Sequence, residues 1–326
     1  MNYVITGDWH LDSDPKHKYR WEALYQLELK MRDLFNSDYG EYRLILLGDL
    51  TERKDKHDAD LVNRLMKLLN SLALYCKIDI VMGNHDFVDP TKPFFKFVNE
   101  HDRINFYDYF KRDDMNIFIP YHGEEESWMA GDYVFMHEDF KEAVYDDGQQ
   151  SRSNRSIKSL SLRNFKHVFS GHVHRPQVIG DKFTYVGSPY PINFHQEDWN
   201  YSFIVIKDGL IKNEYLKYPK RITINIRSLT QVEDIDLNEG DHAKFIVNVL
   251  PSTFQKYPEI KRAIKDKCIE KGIIFYGCRM NKIEVKKQEV KKERINEYPD
   301  IIKDFGKREG LKKETIDIAL ELTKEK

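Results

Sequence analysis

Apolar residues follow two rhythms along the first half of the chain. Residues 3–6 (Tyr-Val-Ile-Thr), 43–47 (RLILL) and 78–82 (IDIVM) are short apolar runs, each stopped by glycine and then a polar side chain. Runs of that length bounded by turn residues predict buried strands. Between them, Trp21, Leu24, Leu27, Met31, Leu34 and Phe35 recur at helical spacing over 21–35, as do Leu61, Leu65, Leu68, Leu69 and Leu72 over 59–75. Strand, helix, strand, helix, strand predicts an α/β fold, a parallel or mixed sheet covered by helices. Shorter strands are expected at 116–119, 132–136, 167–169, 183–186 and 201–206, and a short helix at 156–164.

The polar join LKYPKR near 217–222 breaks this rhythm. Beyond it come RITINI, an acidic turn, KFIVNV, a helix near 258–271 and GIIFYG, a small β-β-α-β unit. From 286 onward, 22 of 41 side chains are charged, which predicts a solvated face. Within it Ile301, Ile302, Phe305, Ile316, Ala319 and Leu320 are placed to bury one side of two short helices. The expected division is 1–217, 218–285 and 286–326.

Composition narrows the class. The chain has 326 residues, 40% hydrophobic and 33% charged, which excludes disorder and allows about two packed domains. A net charge of −2 neither requires nor excludes nucleic acid. No run of apolar residues is long enough for a membrane span, and MNYVITGDWH lacks the basic head and apolar core of a secretory leader. Cys76, Cys268 and Cys278 are too few and too far apart for a disulfide framework or a thiolate zinc site. A cytoplasmic location is expected.

Five polar clusters sit where strands are expected to end: Asp8-Trp9-His10, Gly48-Asp49, Gly83-Asn84-His85-Asp86, His137, and Gly171-His172-Val173-His174. In α/β sheets, side chains beyond the carboxyl ends of strands converge although they are distant in sequence. Asp8 and His10 are two apart, as are His172 and His174, so an extended backbone would point each pair one way. Glycines 7, 48, 83 and 171 are expected to make tight turns there. Imidazole, carboxylate and amide oxygen together suit manganese, iron or zinc better than an all-oxygen magnesium or calcium site. One carboxylate can bridge two ions, and two ions roughly 3.5–4 Å apart can bind one phosphate and activate water. His85, next to Asn84, can face substrate rather than metal.

The ordered set D-x-H, GD, GNHD, a lone His and GHxH resembles the calcineurin-like metallophosphoesterases, across residues 8–174. The resemblance implies a four-layer α/β/β/α sandwich and two metals, manganese first, with magnesium, iron or zinc as alternatives. It implies Asp8, His10, Asp49 and His174 around one ion, and Asp49, Asn84, His137 and His172 around the other, with Asp49 as bridge. His85 would be the catalytic acid beside the scissile phosphate, oriented by Asp86. Pro176, Gln177, Tyr185, Gly187, Ser188 and the 201–206 strand resemble the SbcD/Mre11 nucleases of DNA repair and recombination. That likeness implies a DNA exonuclease or endonuclease with an α+β capping domain at 218–285 and a tail that docks on an SbcC/Rad50-like ATPase. It also implies a homodimer through helices near 59–75 and 90–99. Lys16, Lys18, Arg20, Arg53, Arg152, Arg155 and Arg175 are the candidate contacts to DNA phosphates.

Two departures stand out. Where these nucleases carry an aromatic and a histidine after Gly-Asp, this chain has Leu50-Thr51-Glu52, and Glu52 is expected to repel phosphate. The loop 123–131 carries Glu124, Glu125 and Glu126. Alternative readings are a stand-alone phosphodiesterase acting on nucleotides or phosphoproteins, and a non-catalytic scaffold. The complete ligand set argues against the scaffold.

Overall fold

A strand that is apolar on both faces needs a layer on each side. The computed structural model describes residues 1–37, 41–113, 116–123, 131–160, 165–194, 200–283 and 298–322. The first three apolar runs form β1 (Asn2–Thr6), β2 (Tyr42–Leu46) and β3 (Lys77–Val81), with α1 (Lys18–Ser37) and α2 (Ala59–Ala73) as crossovers. These strands pair in parallel, and β4 (Ile104–Tyr107) extends the sheet beyond β3. Side chains alternate across the sheet. Val4, Leu44, Leu46, Ile78 and Ile80 pack toward the helices, where Leu24, Leu27, Leu65 and Leu69 are buried. Tyr3, Ile5, Ile45, Leu47 and Val81 face the other way.

That other face meets a second sheet, made of β5 (Lys111–Asp113), β6 (Asn116–Ile119), β7 (Gly131–His137), β8 (Phe165–Gly171), β9 (Gln177–Ile179) and β10 (Phe183–Tyr185). Its order is β5-β6-β7-β8-β10-β9. Phe118, Tyr133, Phe135 and Phe169 fill the space between the sheets. The chain then returns to the first sheet as β11 (Ser202–Lys207), antiparallel to β1, with β12 (Leu210–Tyr215) at the edge. The outer face of the second sheet is covered by residues 138–160, through Phe140, Ala143, Ile157 and Leu160. Helices, two sheets and this segment make the layers of the expected α/β sandwich. The helix expected at 156–164 is a single 3-10 turn at Ile157–Ser159, and 161–164 lie outside the described residues, as do Glu124, Glu125 and Glu126.

The third sheet is β13 (Arg221–Ile226), β14 (His242–Val249) and β15 (Ile274–Lys282), all parallel. Parallel neighbours need a crossover. The acidic turn therefore carries a short helix, α3 (Thr230–Glu233), and α4 (Tyr257–Glu270) makes the second crossing. Phe245 and Val247 of β14 pack with Ile260, Ile264 and Cys268 of α4. Arg221 ties this unit to the first one. Its guanidinium lies 3.8 Å from the Tyr19 ring, 4.2 Å from Phe194 and 4.8 Å from Tyr276, and it donates to His242 Nδ1 at 2.8 Å.

The boundary expected at 285–286 lies outside the described residues. Beyond it, α5 (Tyr298–Arg308) and α6 (Lys313–Leu322) pack together, with Ile316 against Gly306. Ile302, Ile316, Ala319 and Leu320 are half-buried there, whereas Ile301 and Phe305 are exposed. Among the described residues no helix is long and apolar enough to cross a membrane.

Candidate metal centre

The site forms where β1, β2, β3, β7 and β8 end. The loop after β1 lies alongside the loop after β2: Asp8 N–H donates to Gly48 O (3.0 Å) and His10 N–H to Asp49 O (2.9 Å). The convergence of Asp8 and His10 does not come from extended backbone, as their spacing suggested. Both residues are left-handed, with φ of 52° and 46°, as are Asp49 at 52° and His172 at 81°. Non-glycine residues rarely adopt this region, and such strain gathers at functional sites. Of the four glycines expected to make turns, only Gly48 has a positive φ. At Gly7 and Gly83 the requirement is closeness, because a Cβ on Gly7 would lie 2.8 Å from Leu47 Cβ and one on Gly83 would meet Asp49.

Asp49 lies at the centre. Its Oδ2 is 3.5 Å from His10 Nε2 and 3.5 Å from His137 Nε2, while Oδ1 accepts the His85 N–H at 2.7 Å. To one side, His10 Nε2 and His174 Nε2 approach to 2.9 Å, with Asp8 beside them. To the other, Asn84 Oδ1 is 3.0 Å from His137 Nε2 and 2.8 Å from His172 Nδ1. His137 Nδ1 faces Leu47 O at 2.5 Å; donation there leaves Nε2 as the free lone pair. All seven residues expected as ligands therefore meet in one place. His85 also lies within ligand reach of His10 and Asp49. Its Nδ1 faces Glu52 O at 2.6 Å, and its side chain lines the open cleft.

These residues suit divalent cations. Asp8 Oδ2 is buried without a hydrogen-bond partner, and two imidazole nitrogens at 2.9 Å must share a proton or face a common cation. Proton affinities are distorted accordingly. Burial pushes the Asp8 carboxyl up to about 6, against the pull of His137 and His174. Burial opposes charge on His174, but hydrogen bonding to Asp146 and the charge of Asp8 raise it to about 9. His10 is held well below the usual imidazole range by burial, then by His174 and His85. Burial and His137 do the same to His172.

Several expected roles change. Asp86 does not orient His85. It is fully buried, and its carboxylate accepts the N–H groups of Asp49 (3.0 Å), Leu50 (3.1 Å) and Gly83 (2.7 Å), locking two strand-end loops together. Arg20 is no DNA contact: it is 2% exposed, donates to His10 O and pairs with Glu52 at 2.6 Å. Glu52 is thereby ion-paired with Arg20 and turned toward His10. Arg155 pairs with the buried Glu138. Lys16, Lys18, Arg53 and Arg152 are exposed. Arg175 lines a separate cleft with Pro176 and Tyr215.

Two acidic residues near the ligands carried no motif. Glu52 Oε2 is 3.5 Å from His10 Nδ1, and Asp146 Oδ2 is 3.5 Å from His174 Nδ1. Asp146 sits in an Asp-Asp-Gly stretch that reads as any surface turn. A cleft of about 720 Å³ runs from Asn84, His85, His172 and His174 past Asp146, Asp147 and Phe194 to Thr223, Ile246 and Arg279 of the third sheet. Residues 1–176 match the family model of the calcineurin-like phosphoesterases. A search of curated proteins returns no significant match.

Proposed function

The chain belongs to the calcineurin-like phosphoesterases, metal-dependent hydrolases with a dinuclear centre, and from that premise we propose that it cleaves the phosphodiester backbone of DNA. In this reading it is an SbcD/Mre11-like exonuclease or endonuclease subunit, cytoplasmic, using two manganese ions and working with an SbcC/Rad50-like ATPase. The observation that carries the reading is the cleft. Its far wall is the third sheet, so a substrate spanning it contacts both units, and Arg279 offers a phosphate contact there. A substrate the size of one phosphate needs no such wall.

Asp8, His10, Asp49 and His174 would hold one ion, and Asp49, Asn84, His137 and His172 the other. When bound, the pair supplies Lewis acidity to the phosphate and lowers the pKa of attacking water. His85 donates Nδ1–H to Glu52 O, so Nε2 is the ring edge toward the cleft, and in the imidazolium form it would pass the Nε2 proton to the departing sugar oxygen. Asp86 keeps the Asp49 and Gly83 backbones in register and moves no proton.

The exposed Ile301, Phe305, Ile318 and Leu322 of α5 and α6 support docking of the tail on the ATPase. Exposed Phe94 and Phe97 in the 3-10 segment Phe94–Glu100 support the homodimer. A second reading, hydrolysis of small nucleotide phosphodiesters, is favoured by Asp146 and Asp147 on the cleft, which oppose a long polyanion.

Manganese-dependent digestion of labelled duplex and single-stranded DNA, run beside bis-p-nitrophenyl phosphate, tests the choice. Turnover of the small ester with no cleavage of either DNA would refute the nuclease. A chain ending at Lys287 should keep small-ester hydrolysis and lose co-purification with the cognate ATPase. Retained binding would place the docking surface elsewhere.

A further inference from the structure

We infer that Glu52 and Asp146 are positioning residues that back two metal-ligand histidines and make the two metal positions unequal. The inference rests on the metal-dependent reading above but not on DNA as substrate.

His10 and His174 present Nε2 atoms 2.9 Å apart to one point, and behind each ring stands a carboxylate. Glu52 Oε2 is 3.5 Å from His10 Nδ1, a buried nitrogen with no hydrogen-bond partner, so Glu52 is the nearest carboxylate behind that ring. Asp146 Oδ2 is 3.5 Å from His174 Nδ1 and accepts from Asn193 Nδ2 at 3.4 Å. Glu52 is itself held by Arg20, which also donates to the His10 carbonyl, so one buried guanidinium fixes both the ligand backbone and the carboxylate behind its ring. The other position is backed differently. His137 Nδ1 meets a neutral carbonyl, Leu47 O, and the neutral amide of Asn84 stands between His137 and His172.

A carboxylate behind an imidazole sets its tautomer, fixes its orientation and raises its basicity; removing such a partner typically costs 10–100-fold in metal affinity. The position between His10, His174 and Asp8 is therefore the tighter one, and the position beside Asn84 fills second.

The test is manganese titration of the full-length, chelator-stripped chain by calorimetry, with electron paramagnetic resonance counting bound ions. The wild type should bind in two steps of different affinity. Asp146→Asn and Glu52→Gln should each weaken the tighter step by about 10–100-fold and leave the weaker one unchanged. Asp146→Glu should restore part of the loss. Because Glu52→Gln also breaks the Arg20 pair, Asp146→Asn carries the test if that variant unfolds. Asp147→Asn removes the same charge one residue away, where the carboxylate accepts the Gln149 N–H at 2.9 Å, and should leave both steps unchanged. Equal effects of Asp146→Asn and Asp147→Asn, equal weakening of both steps, or an unaltered tighter step would overturn the inference alone. A wild-type chain that binds no manganese would overturn the metal-dependent reading as well.

Discussion

Replacing Gly48 by alanine puts the packing of the strand ends under direct test. Gly48 has φ of +85°, and a Cβ there would lie 2.6 Å from Gly83 N, 2.7 Å from Gly83 Cα and 2.8 Å from His137 Nδ1. Two of those three neighbours are backbone atoms, so no side chain can swing aside to make room. The ends of β2 and β3 would have to part by about 0.8 Å, the gap between 2.6 Å and ordinary contact at 3.4 Å. The left-handed conformation costs an alanine about 1–2 kcal/mol. Overpacking of this kind adds about 1–3 kcal/mol. The expected loss is about 2–5 kcal/mol, with a fall in Tm of roughly 2–4 °C per kcal/mol. Gly209 separates the two contributions, since it has φ of +78° and nothing within 4 Å of the added Cβ. Urea unfolding of both variants with metal chelated gives strain alone for Gly209→Ala, and strain plus crowding for Gly48→Ala. The same displacement moves Asp49 and His137, so manganese affinity should drop for Gly48→Ala only. Equal destabilisation of the two variants, with metal binding intact in both, would refute the packing argument.

Asp49→Asn should weaken both metal sites in calorimetry, because its Oδ2 faces His10 on one side and His137 on the other. His85→Gln should keep both metals and lose about 10²–10⁴-fold in turnover; metal loss as severe as in Asp49→Asn would make His85 a ligand. Asp8, raised to about 6, and His174, raised to about 9, bind protons in the metal-free fold that a cation must displace. Manganese affinity should therefore rise with pH, by about tenfold per unit for one displaced proton, between about 6 and 9, and more steeply below the Asp8 value; a flat profile would contradict this. Asp79 is fully buried and accepts from Tyr107 (2.9 Å) and Asn105 (2.9 Å) while pairing with Arg43. Asp79→Ala should cost about 3–5 kcal/mol in urea unfolding yet leave metal affinity unchanged.

What the sequence determined by itself was local. The runs at 3–6, 43–47 and 78–82 read as buried strands, since each is short, largely apolar and stopped by turn residues, and Leu61 through Leu72 recur along one face of a helix. The five polar clusters were legible because metal chemistry needs particular side chains and strand ends bring them together. Polar edge strands such as β12 (LIKNEY) and β5 (KRD) left no apolar signal, because an edge strand open to water needs none. Only the tertiary structure decided the roles that depend on neighbours distant in sequence. Asp86 looked like the residue that orients His85, yet its carboxylate holds three backbone N–H groups from two loops. Arg20 looked like a contact to DNA phosphates, yet it is buried against Glu52, 32 residues away. Asp146 looked like part of a surface turn, yet the path of segment 138–160 sets it behind His174. Residue type sets which bonds a side chain can make, whereas the partner it makes them with depends on long-range packing, which no local pattern encodes.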